Sequence, residues 1–84
     1  MNNTELHLRI ISPSCTKFDD NVSMVVMPGT EGDFGVLHNH MPMIASLQKG
    51  NVRIYQNGEL VQEIKVNSGV ASVSVNGVDV LLAE

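Results

Sequence analysis

The chain of 84 residues has no tryptophan, one tyrosine and two phenylalanines. Its interior must therefore be assembled from Val, Ile, Leu, Met and Ala, and a valine-rich interior favours strands. Basic residues are also scarce. Five Lys and Arg against nine Asp and Glu leave a formal charge of −4, which excludes the phosphate-neutralising surface of a nucleic-acid binder. No run approaches the roughly 20 apolar residues that a membrane-spanning helix needs. The one cysteine, Cys15, excludes an intramolecular disulfide. Set among Ser12, Pro13, Ser14, Thr16 and Lys17 with no histidine close in sequence, it reads as an incidental turn residue, not a nucleophile. The start, MNNTELHLRII, lacks the basic beginning and long apolar centre of a signal peptide. A cytoplasmic chain is expected, in which the acceptor patterns Asn2-Asn3-Thr4 and Asn21-Val22-Ser23 carry no glycan.

The length sets one domain, near the lower limit at which a single apolar core stands alone. No segment of ten or more residues has helical spacing free of Gly or Pro, whereas period-two alternation recurs. Leu6, Leu8 and Ile10 share one face of a half-buried strand, with His7 and Arg9 on the other, so His7 is read as an outward polar residue. Val22 to Met27 is apolar on both sides in its second half. Val52 and Ile54 alternate with Arg53 and Tyr55 before Asn57-Gly58, the strongest short-range hairpin signal because both residues tolerate positive φ. The return, Glu59 to Val66, places Leu60, Ile64 and Val66 on one face, with Gln62 interrupting the row. After Asn67-Ser68-Gly69, Ala71, Val73 and Val75 point inward, and after Asn76-Gly77, so do Val78, Val80 and Leu82. The last 34 residues are expected to form a four-strand antiparallel meander. Seven or eight short strands of this kind need a second sheet behind them, which predicts an all-β sandwich or flattened barrel.

The unusual residues concentrate between Met27 and Gly50: four of seven glycines, two of three prolines and two of three histidines. Pro28-Gly29 is expected to open a turn, with Thr30, Glu31, Gly32 and Asp33 at its tip. A phosphate cradle on the glycines fails on charge, because Glu31 and Asp33 repel phosphate and no helix follows. A metal site on His38 and His40 is the alternative. Two histidines one residue apart on a strand point the same way, as in cupin barrels, and Gly32 stands six residues before His38 as in the first cupin motif. The glutamate of that motif is replaced by Met43, Ile44 and Ala45, and no third ligand follows. A plain surface role for the histidines is the ordinary expectation. A docking surface accounts for more: carboxylates at 31 and 33 for a basic group, and Met41 and Met43 beside Pro42 for adaptable apolar contact.

Gly29-Thr30-Glu31-Gly32-Asp33-Phe34-Gly35-Val36-Leu37, followed by His40 and Pro42 and by Leu47 and Gly50, resembles the epsilon subunit of bacterial F-type ATP synthase, counterpart of the mitochondrial delta subunit. Leu6 to Ser12, Gly50 to Ile54 and Ser68 to Val73 are similar to further strands of that family, so the resemblance covers essentially the whole chain. His38-Asn39 and Gln48-Lys49 depart from it, and the loop shapes are expected to differ there. The resemblance implies one domain over residues 1–84, an all-β antiparallel β-sandwich of about ten short strands. The C-terminal helical hairpin usual in the family is not expected within these 84 residues. It implies a non-catalytic rotor element of the central stalk that couples the c ring to the gamma shaft. Its partners would be gamma and the c ring, with no cofactor or small-molecule ligand, peripheral to the cytoplasmic side of the cell membrane. Carried over by position, Glu31, Gly32 and Asp33, with His40 near them, would face the c ring. Ser12, Met43, Ile44 and Ala45 would lie toward gamma.

Overall fold

A computed structural model describes residues 5–83; the Asn2-Asn3-Thr4 pattern and Glu84 lie outside them. Nine strands are found among these residues: β1 (Leu6–Ile11), β2 (Thr16–Val22), β3 (Met24–Gly29), β4 (Gly32–Leu37), β5 (Met43–Leu47), β6 (Gly50–Gln56), β7 (Glu59–Val66), β8 (Gly69–Val73) and β9 (Gly77–Leu82). Their pairing falls into a five-stranded half, β2-β1-β9-β8-β5, and a four-stranded half, β4-β3-β6-β7. The halves are joined by a single residue pair, Gly29 with Leu47. The sheet curls on itself along that seam and closes over its apolar face, as a sandwich of short strands requires. β5 and β6 run alike past β3, separated only by Gln48-Lys49, and so act as one bent strand that serves both halves.

Most of the core comes from the apolar set that alternation selected. Leu6, Leu8 and Ile10 of β1, Val52 and Ile54 of β6, Ala71 and Val73 of β8, and Val78, Val80 and Leu82 of β9 are all buried, together with Val25 and Met27 of β3. No aromatic side chain is fully buried among the described residues; Phe18 and Phe34 pack at the margin. Asn57 and Gly58 both take positive φ, 53° and 84°, as the hairpin between β6 and β7 requires.

Three expectations are corrected. The last four strands do not form a meander: β6–β7 and β8–β9 are hairpins, but β7 is the outer edge of one half and β8 lies between β9 and β5 in the other. Asn67 and Ser68 carry the chain between the halves. Period-two alternation gives each hairpin a buried face without saying which half it joins. Val75 is not inward but 46% exposed, because β8 ends at Val73 and the β8–β9 turn closes early, with the Ser74 amide donating to the Gly77 carbonyl at 2.8 Å. Pro28-Gly29 does not open a turn, since β3 runs through both residues and the turn falls two residues later. All strand pairs are antiparallel except β1 with β9, which are parallel and bring the first and last strands side by side.

Leu8 is fully buried in β1 between strands from both ends of the chain. Leu8→Ala is expected to cost about 2–5 kcal/mol, transfer and cavity combined. That is a large share of the roughly 5–15 kcal/mol available to a domain, and urea denaturation followed by circular dichroism measures it.

Candidate functional site

The tip of the β3–β4 hairpin is built from the densest run of turn chemistry in the chain. Gly29 pairs with Gly32 around the two-residue connection Thr30-Glu31, and Gly32 has φ 121°, a conformation that side-chain-bearing residues avoid. Two backbone bonds fasten this tip to the bent strand. The Thr30 amide donates to the Ser46 carbonyl at 3.0 Å, and the Gln48 amide donates to the Pro28 carbonyl at 2.8 Å. Beside the tip lies a groove of about 460 Å³, with Glu31, Gly32, Asp33 and Phe34 on one side and Met43, Ile44 and Ala45 on the other. Residues 31–33 and 43–45, expected at two different interfaces, thus share one groove. Its lip is apolar and open, with Ile44 77% exposed.

Asp33 is not a free carboxylate. Arg53 of β6 reaches it, Nη2 to Oδ2 at 3.3 Å. Glu31 has no ion pair among the described residues. Arg53 was legible in the sequence only as an outward residue of its strand. Its neighbourhood to Asp33 depends on β6 and β4 both pairing with β3, which no local pattern encodes.

His38 and His40 do not occupy a strand. β4 ends at Leu37, β5 begins at Met43, and Asn39 between the histidines takes φ 68°. The same-side geometry that motivated the cupin alternative is therefore absent. The His40 ring Nδ1 donates to the Met41 carbonyl at 2.8 Å, and His40 does not line the groove. Among the described residues no group of three His, Cys, Asp or Glu side chains is placed to hold a metal ion. Ser12 is also apart from the groove. It is only 4% exposed, and its hydroxyl donates to the Cys15 carbonyl at 3.1 Å and accepts from the Cys15 amide at 3.3 Å, closing the β1–β2 turn.

Comparison with known proteins is consistent with this geometry. Residues 5–84 match the family described as ATP synthase, Delta/Epsilon chain, beta-sandwich domain. The chain belongs to that family. It is 43% identical over 67 residues to the ATP synthase epsilon chain of Granulibacter bethesdensis, covering 80% of this chain and 50% of that one. It is 42% identical over 81 residues to the epsilon chain of Pelotomaculum thermopropionicum, covering 96% of this chain and 60% of the relative. The chain thus spans about half to three fifths of the length of these epsilon chains. Among solved structures, a chain in the mitochondrial ATP synthase of Euglena gracilis, OSCP/F1/c-ring, superposes with a TM-score of 0.88 at 20% identity, over all of this chain and 54% of that one. That likeness is one of fold.

On the outer face of this sandwich, strands β2, β1 and β9 carry a ladder of charges. The His7 ring meets Asn21 Oδ1 through Nδ1 at 2.9 Å and Asp19 Oδ1 through Nε2 at 2.5 Å. Arg9 Nε lies 3.5 Å from Asp79. Only the protonated imidazole donates from both nitrogens, so the Asn21 bond first, and the Asp19 bond and charge with it, raise the His7 pKa above its usual value. The folded chain then holds this proton more tightly than the unfolded one. The stabilisation is complete below the unfolded value of about 6.5 and is lost as pH rises through the higher folded value. Wild-type stability is expected to fall relative to His7→Gln as pH rises from about 6 to 8, read from thermal midpoints in matched buffers. The titration of the His7 ring protons by NMR gives the folded value directly.

Proposed function

We propose that residues 1–84 act as one sandwich domain with the role of the epsilon chains to which it is related. It would be a non-catalytic part of the central stalk of an F-type ATP synthase, seated between the c ring and the gamma shaft. Membership of the family over residues 5–84 supports this reading, and the observation that carries it to particular residues is the fastened hairpin tip. Two backbone bonds hold Thr30 and Pro28 against the bent strand, so Glu31 and Asp33 are presented on a braced turn instead of a free loop. A contact that transmits torque needs that bracing, because a loose loop would absorb the displacement it is meant to pass on.

In this role Glu31, Gly32 and Asp33 meet polar loops of the c ring, and His40 lies at the edge of that contact. Met43, Ile44 and Ala45 meet gamma across the apolar lip. Ser12, with its hydroxyl spent inside the β1–β2 turn, contributes by shaping that turn. The role calls for no catalytic group, cofactor or small-molecule ligand. No helix among the described residues is long and apolar enough to cross a membrane. The role itself places the domain peripheral to the membrane, on the cytoplasmic side.

The test is assembly with a gamma subunit and a c ring, followed by pull-down and by coupling of proton flow to ATP synthesis. Glu31→Lys and Asp33→Lys are each expected to weaken assembly, by roughly 2–5 kcal/mol where the carboxylate is buried against a cationic partner. Unchanged assembly and coupling in both variants would refute the role given to the acidic tip. Failure of the unaltered chain to be retained by gamma would refute the stalk reading as a whole.

A further inference from the structure

Arg53 stands between two carboxylates. In the β6–β7 register it is directly opposite Glu63, a position in which opposite charges ordinarily pair. Its guanidinium instead reaches the other way, across β3, to Asp33 on β4. Glu63 is met by a neutral group, the Asn51 amide Nδ2 donating to Oε1 at 3.0 Å. Asp33, Arg53, Asn51 and Glu63 line one shallow cleft of about 310 Å³. A carboxylate has two oxygens and several acceptor sites, so Glu63 can keep the Asn51 bond and still receive a guanidinium.

Resting on the docking role given above to the acidic tip, we propose that Arg53 is a positioning residue with two seats. In the free chain it holds Asp33; when a cationic group of the docking partner takes Asp33, it moves to Glu63. Without the second seat, a partner binding Asp33 would leave the Arg53 guanidinium with no counter-charge. With it, exchange of one exposed ion pair for another costs little. The two tip carboxylates then differ in kind: Glu31 is open to any cation, whereas Asp33 is released only to a group that competes with Arg53.

Two experiments test this, and the first needs no partner. A crystal structure of Asp33→Ala is expected to show the Arg53 guanidinium within hydrogen-bond reach of Glu63; a guanidinium extended into solvent would overturn the second seat. The second is the affinity of the chain for a c ring carrying gamma. Arg53→Gln is expected to strengthen binding and Glu63→Gln to weaken it. Each change is expected to reach at most about fivefold, corresponding to the roughly 1 kcal/mol upper bound of an exposed ion pair. The decisive result is their combination. Glu63→Gln is expected to have no effect once Arg53→Gln is present, because Glu63 then has nothing to receive. An equal loss in both backgrounds would mean that Glu63 acts only through bulk charge and would overturn the proposal. If neither these variants nor Glu31→Lys alters binding, the docking role itself falls, while the crystal structure still decides the two seats.

Discussion

The end of β3 has to satisfy two strands that diverge. One edge of β3 pairs with β4 along its whole length, while the other pairs with β6 at Met24, Val25 and Val26 and with β5 at Gly29 alone. Pro28 stands where the ladder passes from one partner to the other. Proline is confined in sheets to places where the ladder gives way, because it has no amide hydrogen to donate. Its carbonyl is still used, by the Gln48 amide at the bend between β5 and β6. Curvature, closure over the core and the bracing of the hairpin tip all depend on this one junction.

The same junction explains why residues distant in sequence share the groove. Bending the strand at Gln48-Lys49 turns β5 alongside the tip, so Met43 to Ala45 come to lie beside Glu31 to Asp33. It also leaves β4 and β6 as neighbours on either side of β3, which is what allows Arg53 to span to Asp33. The apolar lip, the open Glu31 and the held Asp33 are thus three outcomes of one corner in the sheet.

Much of the fold was legible because burial writes itself as a period of two. β1 and β9 show it at Leu6, Leu8, Ile10, Val78, Val80 and Leu82, every one of them buried, and Asn57-Gly58 marks its turn through backbone angles alone. What alternation does not carry is the choice of neighbour. The face that β8 buries looks the same whether it pairs with β7 or with β5, so the meander was a reasonable but mistaken extension. The position of the tip was displaced because Pro28-Gly29 has the composition of a turn, although its place in the sheet is a corner. The acidic residues and the apolar segment could be found in the sequence as candidates. Their common groove could not, nor could the claim of Arg53 on Asp33, because both depend on pairings across β3.

The parallel pairing of β1 with β9 bears on how the domain would respond to force. His7 lies beside Gly77 and Ile11 beside Leu81, so the two strands run in the same direction. Tension drawn between Leu6 and Leu82 would therefore slide one strand past the other and load the rungs between them together. A hairpin pulled from its open end would instead give way rung by rung, like a zipper. Strain along that line is therefore a shearing load, shared by all the rungs of the β1–β9 ladder at once.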